Sequence, residues 1–188
     1  MLGCRPLKPE EMVRMLLNLK DTRDKALFSL GVHTGFRISE LLSLTWDDVL
    51  QPQSNHIRDR ITVQAKHMKG RRRARTVVLH AKAKENLERH RICSTIIFRE
   101  KTPVFCGRTA RESLSYSQAW RILKDAYNRA GIGGKVSTHS MRKTFAHRVY
   151  SITNDIFKTA TALGHSNVSS TQSYLAVDQD GIDEAILA

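Results

Sequence analysis

The sequence predicts an α+β fold, mainly helical, in which one domain carries a small antiparallel sheet. Three observations predict it. Apolar residues recur at helical spacing through the first and last thirds of the 188-residue chain. Two short β-branched runs stand in the middle, on either side of a strongly basic segment. No internal repeat or low-complexity linker divides the chain, whose length suits one domain, residues 1–188, with a sizeable core.

The elements follow in chain order. Pro9 occupies a first helical position, and Glu10 and Glu11 put negative charge in that first turn, where the helix dipole favours it. Met12, Met15, Leu16 and Leu19 mark its apolar side. Asp21 or Thr22 caps a second helix with Ala26, Leu27 and Leu30, which ends near Gly35. A third starts around Arg37, with Leu41 and Leu44 on its buried side. Residues 60–64 and 76–79 read as two strands joined by a positively charged turn. Helices return over residues 81–91 and 115–130; the second lines up Ala119, Leu123, Ala126 and Ala130, and Gly131 stops it. Thr138 is expected to cap a helix striped by Met141, Phe145 and Val149. Thr153 is expected to cap another that carries Ile156, Phe157, Ala160 and Leu163 and ends at Gly164.

Composition narrows the partner. The chain holds 31 Lys+Arg against 18 Asp+Glu, a formal net charge of +13, which favours a polyanion. The charge is clustered, with Lys66, Lys69, Arg71, Arg72, Arg73 and Arg75 falling within ten residues. An apolar fraction of 40% excludes a disordered tail as the main content. Cys4, Cys93 and Cys106 are odd in number and lack zinc or redox spacing, so they read as free thiols in a reducing cytoplasm. The start has no apolar signal-peptide core, and no stretch approaches membrane-spanning length, which makes an anionic membrane a poor competitor for the basic face.

Residues far apart in the chain combine into one chemistry. Arg37 lies in Thr34-Gly35-Phe36-Arg37-Ile38-Ser39-Glu40-Leu41-Leu42, and Lys69 in Met68-Lys69-Gly70-Arg71. His139 and Arg142 are three apart, on one side of their helix, and His165 follows Leu163-Gly164, with Tyr174 nine residues on. Two arginines clamp a phosphodiester through charge-assisted, often bidentate hydrogen bonds. Two histidines and a lysine move or share protons, and a tyrosine hydroxyl attacks phosphorus. No aspartate-rich metal cage accompanies them, so phosphoryl transfer without metal or other cofactor is expected. His33, His80 and His147 lack such contexts and read as structural. Tyr127 and Tyr150 fall in helical stripes, while Tyr116 follows a Ser-Leu-Ser loop and is the rival to Tyr174.

The string from Gly35 to Leu42, the His-x-x-Arg of His139 and Arg142, and Leu163-Gly164-His165 with its trailing Tyr174 resemble the tyrosine recombinase (phage integrase) family. The resemblance runs from about Pro9 to Tyr174 and implies that family's catalytic domain, acting on double-stranded DNA as a site-specific recombinase. It makes Tyr174 the nucleophile, Arg37 and Arg142 the phosphate clamp, His139 the general acid/base and His165 a further hydrogen-bonding position. It makes Lys69 the donor to the departing 5′ oxygen, with Lys66 its rival, and Glu40 a brace behind the site. Arg71, Arg72, Arg73 and Arg75 are expected as DNA-backbone contacts beside Lys66. Members of this family usually carry a further N-terminal DNA-clamping domain, for which 188 residues leave no room. The resemblance also implies a monomer off DNA and a tetramer on synapsed sites, coupled through the tail that carries Ile182, Ala185, Ile186 and Leu187, in a bacterial cytoplasm. Leu175 departs from the polar residue usual after the nucleophile. Two alternatives share these residues: relaxation of DNA by resealing the same strand, and a DNA-binding module that regulates recombination without catalysis.

Overall fold

The computed structural model describes residues 3–65, 74–95, 101–109 and 111–175. The expectations for Lys66, Lys69, Arg71, Arg72, Arg73 and the C-terminal tail therefore lie outside the described residues. Two compact units divide the chain at residue 145. The first holds α1 (Pro9–Asn18), α2 (Thr22–Thr34), α3 (Ile38–Leu42), α4 (Trp46–Val49), β1 (Arg60–Val63), β2 (Arg75–Val78), α5 (Ala81–Cys93) and α6 (Tyr116–Arg129). Helix α7 (Thr138–Thr153) begins in the first unit and ends in the second, which also holds α8 (Ile156–Leu163) and α9 (Val168–Leu175). None of these helices is long and apolar enough to cross a membrane.

Helix α2 is the hub of the first unit. Every residue from 26 to 34 is buried, so it is enclosed on all sides, with α5, α1 and α3 packed around it. Gly31 sits in its middle because a Cβ there would lie 2.7 Å from the Met141 sulfur, so this glycine seats the first turns of α7 on α2. A mid-helix glycine costs about 1 kcal/mol against alanine, and the closer packing offsets it. Strands β1 and β2 pair antiparallel as expected, with Arg60 opposite Val78 and Val63 opposite Arg75. Ile61 and Val63 point inward, and α4 packs on β1.

Three local features differ from the expectation. Helix α4 is too short to leave a periodic stripe; Asp48 holds its start by accepting from the Thr45 amide at 2.9 Å and the Thr45 hydroxyl at 2.8 Å. Ser137, not Thr138, caps α7: its hydroxyl accepts from the His139 amide at 3.2 Å, while Thr138 is already helical and buried. Asp155, not Thr153, caps α8, one carboxylate oxygen taking the Phe157 and Lys158 amides at 2.8 and 3.0 Å. Thr153 ends α7 instead.

At the N-terminus, Glu11 does more than face the dipole. Its two oxygens accept from Arg5 Nη1 and Nη2 at 2.7 and 2.6 Å, and it also takes the Lys8 amide at 2.9 Å. The Arg5 bonds are the main reason its carboxyl is held down to about 2. In the second unit α8 buries Thr159, Ala160 and Leu163 and packs on α9, while Phe157 is exposed.

Candidate active site

The site in the first unit is built around one turn. Helix α2 ends at Thr34, and Gly35 takes the left-handed conformation, φ 62° and ψ 20°, its amide returning to the Gly31 carbonyl at 3.0 Å. A Cβ at Gly35 would also lie 2.4 Å from the Phe145 ring, so this position has room only for glycine. The turn presents the Thr34 and Gly35 carbonyls, the partially negative end of a buried helix. Two guanidiniums take them. Arg75 Nη2 donates to the Thr34 oxygen at 2.5 Å and Nη1 to the Gly35 oxygen at 3.4 Å. Arg142 Nη1 donates to the same Gly35 oxygen.

Arg37 follows two residues on. The third helix was expected to start around Arg37, and Arg37 stands one residue before it, as the cap of α3. Glu40, wholly buried, accepts the Arg37 amide at 2.8 Å through one oxygen and Arg37 Nη1 at 2.7 Å through the other. Glu40 thus holds Arg37 at two points. Arg37 keeps 23% of its side chain exposed, whereas Arg142 is 1% exposed. A ligand from solvent can therefore reach the Arg37 guanidinium while its carboxylate partner stays out of reach.

Arg75 departs from the expectation. It was grouped with surface arginines for DNA-backbone contact, but it is 7% exposed. Its guanidinium carbon lies 4.8 Å from the Phe36 ring centre and 6.0 Å from that of Phe145. The physical reason is strand alternation: β2 turns Arg75 and Val77 toward the protein and Thr76 and Val78 outward. Burial, and next the charge of Arg142, depress its pKa to about 9, while Glu40 pulls the other way. It therefore remains a cation at neutral pH.

His139 lies in the first turn of α7 and is open to solvent. Protein packed around its ring, then the charges of Arg142, Arg37 and Lys143, push its pKa below the ordinary histidine value. The imidazole is thus biased to its neutral, proton-accepting form beside an arginine pair. The first unit gathers Arg37, Glu40, Arg75, Arg142 and His139.

Among the described residues, the second unit holds His165 and Tyr174. Tyr174 is half-buried on α9, its ring edge-on to His165 with centroids 5.3 Å apart and planes at 63°. His165 Nδ1 is 2.9 Å from the Thr171 hydroxyl, and its amide returns to Ala160 at 2.9 Å after Gly164 has ended α8. His147 had read as merely structural; its Nε2–H donates to the Tyr174 carbonyl at 3.2 Å, tying α7 to the tyrosine's helix. Its place nearly two turns before the end of α7 gave no sequence signal for that. His33 and His80 stack on each other at 4.4 Å within the first unit. Among the other tyrosines, Tyr127 is buried and donates to the Ser137 carbonyl at 3.3 Å, and Tyr116 stands 53% exposed at the start of α6.

The profile described as the phage integrase family matches residues 5–180. The probable integrase/recombinase YoeC of Bacillus subtilis (strain 168) is 31% identical over 173 residues, covering 92% of this chain and 87% of YoeC. The tyrosine recombinase XerA of Pyrococcus furiosus is 33% identical over 181 residues, covering 94% of this chain and 59% of that protein. For the tyrosine recombinase XerD of Corynebacterium glutamicum the identity is 30% over 164 residues, covering 87% of this chain and 51% of XerD. The chain thus spans about half the length of these Xer relatives. The crystal structure of XerA recombinase matches with a TM-score of 0.78 at 26% identity, over 97% of this chain and 64% of that one. XerH bound to a palindromic difH substrate shares the fold, with a TM-score of 0.74 at 22% identity over 99% of this chain and 53% of XerH. With its profile matched over nearly its whole length and a relative matched along most of both chains, this protein belongs to the phage integrase family.

Proposed function

We propose that this chain is the catalytic domain of a site-specific DNA recombinase that cleaves and rejoins strands through a 3′-phosphotyrosyl intermediate. The observation that carries the reading is the Arg37–Arg142 pair, braced by Glu40 and the Gly35 carbonyl, with Arg37 open to an incoming phosphate. The Tyr174 oxygen attacks the scissile phosphorus, and the bond from phosphorus to the 5′ oxygen breaks. His139, biased toward its neutral form, accepts the tyrosine proton. Lys69, with Lys66 as the alternative, supplies a proton to the departing 5′ oxygen. Arg37 and Arg142 stabilise the charge that builds on the non-bridging oxygens, the largest electrostatic contribution in such a transfer. His165 hydrogen-bonds the phosphate. A 5′ hydroxyl from a second strand reverses the step, so the energy of the broken bond is kept in the phosphotyrosine and no metal or nucleotide cofactor is required.

Double-stranded DNA is the partner in this reading. Lys66, Arg71, Arg72 and Arg73 contact the backbone, a monomer off DNA gives way to a tetramer on synapsed sites, and the protein works in the bacterial cytoplasm. The test is covalent capture: incubate the protein with a randomised pool of nicked duplexes in EDTA, resolve trapped DNA on a denaturing gel, and sequence it. The expected result is a trapped, sequence-enriched duplex, lost in Tyr174→Phe while mobility-shift binding persists. Capture that needs a divalent metal, or no capture at all, would remove the reading; capture by Tyr174→Phe would move the nucleophile to Tyr116.

A further inference from the structure

We infer that Arg75 is a positioning residue for strand cleavage: by holding the Thr34 and Gly35 carbonyls it sets Arg37 and Arg142 in register as a phosphate clamp. The inference rests on the recombinase reading above. Its starting point is a buried cation set against two aromatic rings. Arg75 is 7% exposed and lies between the faces of Phe36 and Phe145. Burying a guanidinium is costly unless its environment answers the charge. Here the carbonyl end of α2 does so directly, through Thr34 and Gly35.

Those two carbonyls are the backbone of the clamp. The Gly35 oxygen is shared between Arg75 and Arg142, so the orientation Arg75 gives it also fixes Arg142 Nη1. Phe36 links this turn to Arg37, whose amide and guanidinium are already tied to Glu40. One guanidinium spanning two successive carbonyls resists rotation of the peptide between them, which a single-point donor does not.

Charge adds a reason that packing alone does not give. Among the described residues, the charges that act on Arg75 are those of Arg142, Arg37 and one carboxylate, Glu40, so guanidiniums are in excess. A phosphodiester carries one negative charge, and the pentacoordinate transition state carries two. Arg75 therefore helps match the transition state rather than the bound substrate, and its loss falls on the rate more than on DNA affinity.

The test uses the duplex captured above, with single-turnover cleavage at saturating protein, DNA affinity and thermal melting measured together. Arg75→Met keeps volume without charge and is expected to cleave about 100-fold more slowly, with little change in affinity. Arg75→Lys is expected to recover part of the rate, because an ammonium restores the charge but does not span both carbonyls in one plane. A duplex with a neutral methylphosphonate at the scissile position should narrow the gap between Arg75→Met and the unmodified protein, since less charge needs matching. A gap of equal size on both duplexes assigns Arg75 to packing alone and overturns the inference, as does an Arg75→Met that cleaves at the unmodified rate. Should Arg75→Met fail to fold, Arg75→Lys decides: a slowed rate supports the inference, and a full rate overturns it. An unmodified protein that traps no DNA removes the recombinase reading and this inference together, whereas unaltered Arg75 variants beside an active unmodified protein remove only the inference.

Discussion

The arginine cluster of the first unit and the tyrosine helix of the second are held by different means. In the cluster, Arg142 and Glu40 are almost wholly buried, and the Gly35 turn, the guanidiniums and the carboxylate hold one another in place. Tyr174 rides half-buried on an eight-residue helix, its carbonyl accepting from His147 and its ring edge-on to His165. A helix that short is marginal alone, so side-chain anchors decide where it sits. In the proposed reaction the difference matches the two chemical tasks. Groups that stabilise developing charge must be in place before it appears, because reorganising them during the reaction forfeits their benefit. A nucleophile can be brought up by a lighter element, provided its anchors hold it in reach.

The largest effect should follow from breaking the preorganised side. Arg142→Ala is expected to lower the rate of covalent capture by about 100- to 1,000-fold, the scale for removing one donor aimed at developing charge. Single-turnover cleavage checks it, with Arg142→Lys as the control that keeps charge without the guanidinium fork. An Arg142→Ala protein within tenfold of the unmodified rate would mean that the Gly35 carbonyl presents Arg142 for structure alone.

Much of this contrast was legible in the sequence. The Gly35 stop and the shared side of His139 and Arg142 follow from glycine chemistry and helix spacing, whereas the link between Glu40 and Arg37 came with the family resemblance. Arg75 was misplaced because charge outweighed periodicity. It follows a run of lysines and arginines, and the strand was read as starting at Thr76. Starting it one residue earlier puts Arg75 in step with Val77 on the inward face. The role of His147 was not legible at all, since its partner is a backbone carbonyl 27 residues away and no spacing rule reaches that far. Short-range capping was similarly hard to settle, with Ser137 against Thr138 and Asp155 against Thr153 differing by only one or two positions.

A middle-sized effect should appear in the titration of His139. Its neutral form is favoured first by the packing around the ring and next by Arg142, Arg37 and Lys143. The sign is therefore fixed: at about pH 6.5, where an unperturbed imidazole is half protonated, His139 should be mostly neutral. The NMR titration of its ring proton should give a midpoint below that value. In Arg142→Ala the midpoint should move up without reaching the ordinary value, because the packing remains. A midpoint at or above the unperturbed value in the unmodified protein would show that His139 enters the reaction charged, and its role as proton acceptor from tyrosine would be lost.

The smallest effect should come from loosening the lighter side. His147→Phe keeps a ring of similar size but removes the donor to the Tyr174 carbonyl. A single intramolecular hydrogen bond contributes about 1 kcal/mol net, which corresponds to roughly a fivefold change in the fraction of time α9 is correctly held. Cleavage should slow by about that factor, with DNA affinity unchanged, because the arginine cluster proposed to meet the phosphate is untouched. A His147→Gln protein, whose side-chain amide supplies a donor in place of the imidazole, should recover much of the loss. If both variants cleave at the unmodified rate, His147 does not set the tyrosine's position. If both lose as much as Arg142→Ala does, the tyrosine helix is as tightly preorganised as the clamp, and the contrast between the two regions fails.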